Sequence, residues 1–175
     1  MDTSDIIDIK TIGTKDVALL SDVAVRAYCD HYKHLWYDEG KWYSKKSFSK
    51  ENLLNELTDE NAQFFIIYFN KDAVGFLKLN IDAPLEENAD ALELERIYLT
   101  KSVTGKGIGK FVFDFVIEIA KQQNKKLIWL KVMDSSTNAI AFYKKMRFEI
   151  CGTIRLDFEM MKPELRGMFV MKKML

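Results

Sequence analysis

The stretch Thr104-Gly105-Lys106-Gly107-Ile108-Gly109-Lys110-Phe111 stands between the apolar run LERIYL and the amphipathic run FVFDFVIEIA. Alternating glycines between a strand pattern and a helix pattern restrict the fold, because the chain must turn tightly and begin a helix at once. Gly107 and Gly109 permit positive φ and leave main-chain N–H groups bare at a helix N-terminus, where the macrodipole favours an anion. Lys101, Lys106 and Lys110 add positive charge nearby. The loop reads as a seat for a pyrophosphate that carries no metal.

Two common phosphate loops do not fit. A P-loop would need glycine at residue 104 and a hydroxyl at residue 111, where the chain has Thr104 and Phe111. The dinucleotide pattern G-x-G-x-x-G accepts Gly105 and Gly107 but places its third glycine on Lys110.

Around the loop the periodicities alternate between strand and helix. Ile6 to Thr11 predicts a strand, Asp16 to Tyr32 a helix, and the aromatic segment HYKHLWYDEGKWY an irregular stretch. Ser49 offers an N-cap for a helix through Leu57. Phe64 to Phe69, Asn70-Lys71-Asp72 and Val74 to Ile81 predict a hairpin, and Ala91 to Leu99 alternates as a strand. After the glycine loop come a helix to about Gln123, a strand over Leu127 to Met133, and a helix capped within Asp134 to Thr137 and ending near Lys145. Phe148 to Leu156 and Met168 to Met174 predict the last strands. This order makes an α+β fold, a mostly antiparallel sheet crossed by helices. With 175 residues and no Pro/Gly/Ser-rich linker, the expectation is one domain over residues 1–175.

No apolar run reaches about eighteen residues, so no membrane helix is expected. The acidic start MDTSDIIDIK has no hydrophobic signal core, which predicts a cytoplasmic protein. Cys29 and Cys151 lack C-x-x-C spacing and read as free thiols. His31 and His34 share a helical face without a third ligand, so no metal is expected. Formal charge is zero, and no basic recognition helix is present, which argues against direct nucleic-acid binding. Charge is uneven locally: Asp82, Glu86, Glu87, Asp90, Glu93 and Glu95 form an acidic run without a base, a pattern suited to a cationic ligand.

Two motifs in strand–helix context carry a resemblance. Thr104 to Gly109 resembles the [RQ]-x-x-G-x-[GA] motif of the GNAT superfamily of N-acetyltransferases, departing at Thr104. Asn138 to Phe148 resembles that family's second signature, N-x-x-A-x-x-x-Y-x-x-x-G-F, with Arg147 in place of glycine. An arginine at that left-handed helix end should cost about 1 kcal/mol. The resemblance implies a central sheet of about six or seven strands with a splayed pair that holds acetyl-CoA.

It further implies that Ile97, Tyr98 and Leu99 pair with the acyl and pantetheine amides. Thr104, Gly105, Lys106, Gly107, Ile108, Gly109 and Lys110 would hold the pyrophosphate. Asn138, Tyr143 and Lys145 would face the rest of the cofactor, and Tyr143 sits where the family places its general acid. Glu93 and Glu95 are the candidate bases, because direct attack by an amine requires a proton acceptor. Alternation places Glu93, Glu95, Ile97 and Leu99 on one face unless a bulge intervenes.

The segments QFFIIYFNKDAVGFLKLNIDAPLEENADALELERIYL and NKKLIWLKV resemble bacterial spermidine/spermine N-acetyltransferases more closely. That implies a polyamine or similar small cationic acceptor. Tyr28, Tyr32, Trp36 and Tyr37, with Trp42 and Tyr43, could line its channel; a mobile lid or a homodimer surface is the other reading. A protein or peptide N-acetyltransferase and a non-catalytic acetyl-CoA-binding regulator remain the alternatives.

Overall fold

An apolar run without polar alternation needs cover on both faces. The structure, a computed structural model describing residues 5–175, supplies it. The strands are Ile7–Thr11 (β1), Ala62–Phe69 (β2), Asp72–Asn80 (β3), Ala91–Leu99 (β4), Leu127–Met133 (β5), Glu149–Arg155 (β6) and Gly167–Met174 (β7). Helices Val17–Tyr32 (α1), Lys41–Phe48 (α2) and Lys50–Leu57 (α3) precede β2, Ile108–Gln122 (α4) follows β4, and Thr137–Lys145 (α5) follows β5.

The described residues form one sheet in the order β1-β2-β3-β4-β5-β7-β6, antiparallel except for β4 beside β5. Successive side chains of β2 enter opposite cores. Phe65, Ile67 and Phe69 pack with Val112, Phe113 and Val116 of α4, while Phe64 and Ile66 pack with Leu20, Val23 and Ala24 of α1. The hairpin between β2 and β3 turns at Asn70 and Lys71, both left-handed with φ of 49° and 74°, as a twist-matched two-residue turn requires.

The predicted elements match these closely. Ser49 caps α3 by accepting from the Asn52 N–H at 3.2 Å. Two local readings are corrected. The aromatic stretch is not wholly irregular, because Lys41–Phe48 is helical and follows a left-handed Gly40 whose N–H is taken by Asp38. At α5 the N-cap is Ser136, whose side chain makes no cap bond.

Candidate active site

β4 and β5 are paired only through Ala91↔Leu127, Leu92↔Ile128 and Glu93↔Trp129. Beyond them β4 stays with β3 to Leu99, and β5 stays with β7 to Met133. The parallel pair therefore opens into a wedge, and the Ile97–Leu99 segment runs along its edge without a β5 partner. Gly75 keeps β3 close on the other side, since a Cβ there would collide with the Tyr98 carbonyl. The Leu99 carbonyl is engaged by the His31 ring at 2.8 Å.

The glycine loop lies between the end of β4 and the start of α4. Gly105 and Gly107 take φ of +79° and +76°. A Cβ at either would meet nothing within 4 Å, so conformation rather than crowding calls for glycine. Gly109 differs: a Cβ there would lie 3.2 Å from the Phe142 ring, so this glycine lets α4 approach α5. The N–H groups of Gly105, Gly107, Ile108, Gly109 and Lys110 find no hydrogen-bond partner among the described residues. Four of those five groups stand at consecutive positions opening α4, and the residues Gly105, Lys106, Gly107 and Lys110 are solvent-exposed. Thr104 is exposed and extended, and Lys110 reaches Asp114 at 2.6 Å.

A cavity of about 250 Å³ occupies the wedge. Ala139 and Tyr143, one turn apart on α5, line it. The Tyr143 ring is fixed by Phe113, Phe142 and Phe148, with ring centres 5.6, 5.8 and 6.0 Å away. Burial, with a smaller contribution from Tyr32, pushes its hydroxyl well above the usual phenol range, so it stays protonated. Asn138 and Lys145 are exposed on α5 and do not line the cavity.

The expected alternation of β4 is broken. Register shifts between Lys78 and Leu79, which pair with Arg96 and Leu94, so Glu95 is the extra residue of a β-bulge. Leu92, Leu94, Ile97 and Leu99 consequently pack towards α4, while Tyr98 joins the core under α1. The two glutamates thus do not share a face with Ile97 and Leu99. Instead they enter a polar cluster: Asn80 donates to both Glu93 and Glu95 at 2.9 Å.

Lys78 of β3 stands 2.5 Å from Glu95 and 2.9 Å from Glu56 of α3, and Arg96 grips Glu56 with both arms at 2.8 and 3.1 Å. Burial alone would raise the Glu95 carboxyl. The Lys78 hydrogen bond and the charges of Arg96 and Lys78 outweigh it and hold the group below the ordinary glutamate value. Glu93 is buried, and its Oε1 has no hydrogen-bond partner among the described residues, with the Lys131 ammonium 3.4 Å away. Only Glu95 of the pair lines the cavity. The sequence reading missed Lys78, Arg96 and Glu56. A lysine inside the apolar run GFLKLN was the available signal, because such a residue needs a buried partner.

Tyr28, Tyr32 and Trp36 line the cavity as expected, joined by Tyr43 and Phe158. Tyr28 stacks on Tyr32 and Tyr43 at 5.0 and 4.9 Å, and its hydroxyl accepts from the Trp36 indole at 2.8 Å. Tyr37 is corrected: it is 63% exposed and outside the cavity, because it follows Trp36 in the extended bridge to Met161, where neighbouring side chains point to opposite sides. No cluster among the described residues could hold a metal ion.

Residues 22–148 match the model of the Acetyltransferase (GNAT) family. The chain belongs to that family. An N-acetyltransferase of Lactobacillus delbrueckii subsp. lactis is 33% identical over 103 residues, which are 58% of this chain and 60% of that protein. The match therefore spans less than two thirds of that relative's length. A Bacillus subtilis subsp. natto protein named as a probable spermine N(1)-acetyltransferase is 28% identical over 95 residues, 53% of this chain and 61% of that one. In fold, the chain is similar to the PaiA N-acetyltransferase of Thermoplasma acidophilum crystallised with coenzyme A. The TM-score is 0.76 and the identity 24%, over 97% of this chain and 99% of that one. No helix among the described residues is long and apolar enough to cross a membrane.

Proposed function

We propose that this GNAT chain is an acetyl-CoA-dependent N-acetyltransferase that passes the acetyl group to a small primary amine by direct attack in a ternary complex. The observation that carries the reading is the set of free N–H groups at Gly105 and from Gly107 to Lys110, opening α4 beside a wedge that ends at Tyr143. Bare amides at a helix start suit a pyrophosphate, and the open space over Gly105 and Gly107 leaves room for one. Bound acetyl-CoA would supply a thioester whose carbonyl is open to attack.

The chain's own groups would do the rest. Main-chain groups of Ile97 to Leu99, along the unpaired β4 edge, align the acyl arm. The Tyr143 hydroxyl, held protonated, offers a hydrogen bond to charge that develops on sulfur. Glu95, held ionised by Lys78 and Arg96, is a weak base and orients the incoming amine. Glu93, whose Oε1 faces the Lys131 ammonium at 3.4 Å but makes no hydrogen bond, takes the proton through a bridging water. Asn138 and Lys145, exposed on α5, contact the cofactor's outer portion.

Among amines, a polyamine is supported by the sequence resemblance and by the spermine acetyltransferase relative. Titration calorimetry with acetyl-CoA is the first test; heat of binding at micromolar concentration is expected, and none would end the proposal. The second is Tyr143→Phe, which should lower kcat by about 10- to 100-fold with little change in acetyl-CoA affinity. An unchanged kcat would remove Tyr143 from the mechanism.

A further inference from the structure

The acidic run suggested electrostatic capture of a polycation, and the folded positions of those acids point elsewhere. Asp82 is ion-paired with Lys125, Asp90 with Lys126 at 3.5 Å, Glu93 with Lys131 at 3.4 Å, and Glu95 with Lys78 at 2.5 Å. Three charged side chains reach the cavity: Glu95, Arg96 and Lys131. Each has its counter-charge in place, since Arg96 is held by Glu56 on both arms. Glu86 and Glu87 do not line the cavity, and the one carboxylate that does, Glu95, is already paired, so none within it is left to meet a second or third ammonium group.

What remains is apolar. On the side away from α5 the walls are the rings of Tyr28, Tyr32, Trp36, Tyr43 and Phe158. Burial raises the phenols of Tyr28 and Tyr32, so both stay neutral at working pH. Leu156, Met161 and Met168 complete the surface. These last residues and Phe158 lie beyond the segment that matches the family model, residues 22–148, so this part of the wall comes from the chain's C-terminal part.

The wall is also fastened. Trp36 and Met161 form a β-bridge, the Tyr37 N–H donates to Met160 and the Lys162 N–H donates to Leu35 at 2.9 Å. Arg166 holds the Met161 carbonyl through two nitrogens at 3.0 and 2.9 Å. The strapped, ring-lined part is one share of the cavity of about 250 Å³, whose other share lies along β4 and β5 where the acyl arm is placed, and it has room for one compact apolar body. An extended chain of charges would have to desolvate every ammonium group there without a partner.

We infer that the acceptor is a monoamine carried on an apolar or aromatic body, of the arylalkylamine or alkylamine class, and that the wall from Leu156 to Met168 selects it. This rests on the acetyl-transfer reading of the same cavity. An apolar body gains by leaving water against these rings, while a single ammonium can lose its proton on the way to attack.

The test measures thiol release from acetyl-CoA with phenethylamine, tryptamine, hexylamine, putrescine and spermidine, alongside calorimetry for acetyl-CoA alone. The expected result is a kcat/KM at least about tenfold higher for phenethylamine or tryptamine than for spermidine, with little dependence on salt. Phe158→Asp should narrow that ratio by favouring spermidine. Acetyl-CoA binding with spermidine preferred, or with none of the monoamines turned over, overturns the inference and leaves the cofactor site standing. Failure to bind acetyl-CoA overturns both.

Discussion

The two sides of the wedge recognise by different means. On the α4 side, the Gly105 to Lys110 loop offers main-chain N–H groups around the left-handed Gly105 and Gly107, with Lys106 and Lys110 exposed and Ile108 anchored in the core. On the α1–α3 side, Glu56, Lys78, Glu95 and Arg96 interlock beneath a stack of aromatic rings. The first side depends on backbone conformation, which a short local sequence dictates. The second depends on side chains brought together from α3, β3, β4 and the segment after β6. Mutations should therefore separate them: damage to the loop reaches the cofactor and spares the fold, whereas damage to the cluster does the reverse.

Lys78→Met would break this contrast most sharply. The side chain is 9% exposed and is shared by two carboxylates, so its loss leaves Glu56 and Glu95 with Arg96 as their cation. Removing one partner of a buried ion pair costs about 3 kcal/mol, seen as a lower Tm, while calorimetry should show acetyl-CoA affinity nearly unchanged in the folded fraction. The pH dependence has a definite sign. Glu56 and Glu95 are held below the ordinary glutamate value, 4.5, so their contribution is full above that pH and disappears as pH falls through the lowered values. In Lys78→Met both carboxyls shift upward and acid unfolding should begin at higher pH. A variant with wild-type Tm would show that the cluster is a surface feature.

Gly107→Val tests the opposite side. At φ of +76° a β-branched residue is strained, and relaxation would swing the neighbouring N–H groups out of line. Acetyl-CoA affinity should fall about tenfold, equal to about 1.4 kcal/mol, with a far smaller change in Tm than Lys78→Met causes. Equal affinity would mean that the loop's conformation does not matter to cofactor binding.

How much was legible follows the same division. The strand–loop–helix order and the left-handed turn at Gly107 were readable because each is local; the left-handed Gly105 was not singled out. The positive φ expected at Gly109 is corrected: that residue lies within α4 in ordinary helical conformation, and its reason is the Phe142 ring from a helix far along the chain. The bulge at Glu95 could not be read from alternation, because it is a relation between β3 and β4 rather than a property of either. The pairing of the acidic run was illegible for a related reason: the lysines that meet Asp82, Asp90, Glu93 and Glu95 come from β3, β5 and the turn after α4. Tyr37 was grouped with Trp36 by adjacency, yet in the extended bridge to Met161 neighbours point oppositely.

The smallest expected effect concerns two helix ends that solve one problem with different residues. α4 finishes with the Lys125 N–H bonded to Ala120 at 2.8 Å and Asn124 N–H to Lys121 at 3.0 Å, with Asn124 left-handed at φ of 56°. α5 finishes in the same way, Phe148 N–H to Tyr143 at 2.9 Å and Arg147 N–H to Lys144 at 3.0 Å, with Arg147 at φ of 67°. Asparagine tolerates that conformation through its short polar side chain, whereas arginine has no such relief. The turn is thus kept despite the substitution, and its strain is stored next to Tyr143. Arg147→Gly should release it, offset in part by the greater freedom of glycine in the unfolded chain, for a gain of up to about 1 kcal/mol in denaturant unfolding. Because the carbonyl of Tyr143 closes this turn, kcat should hold steady if the strain is purely local; a changed kcat with unchanged acetyl-CoA affinity would show that the helix end tunes the position of the Tyr143 hydroxyl.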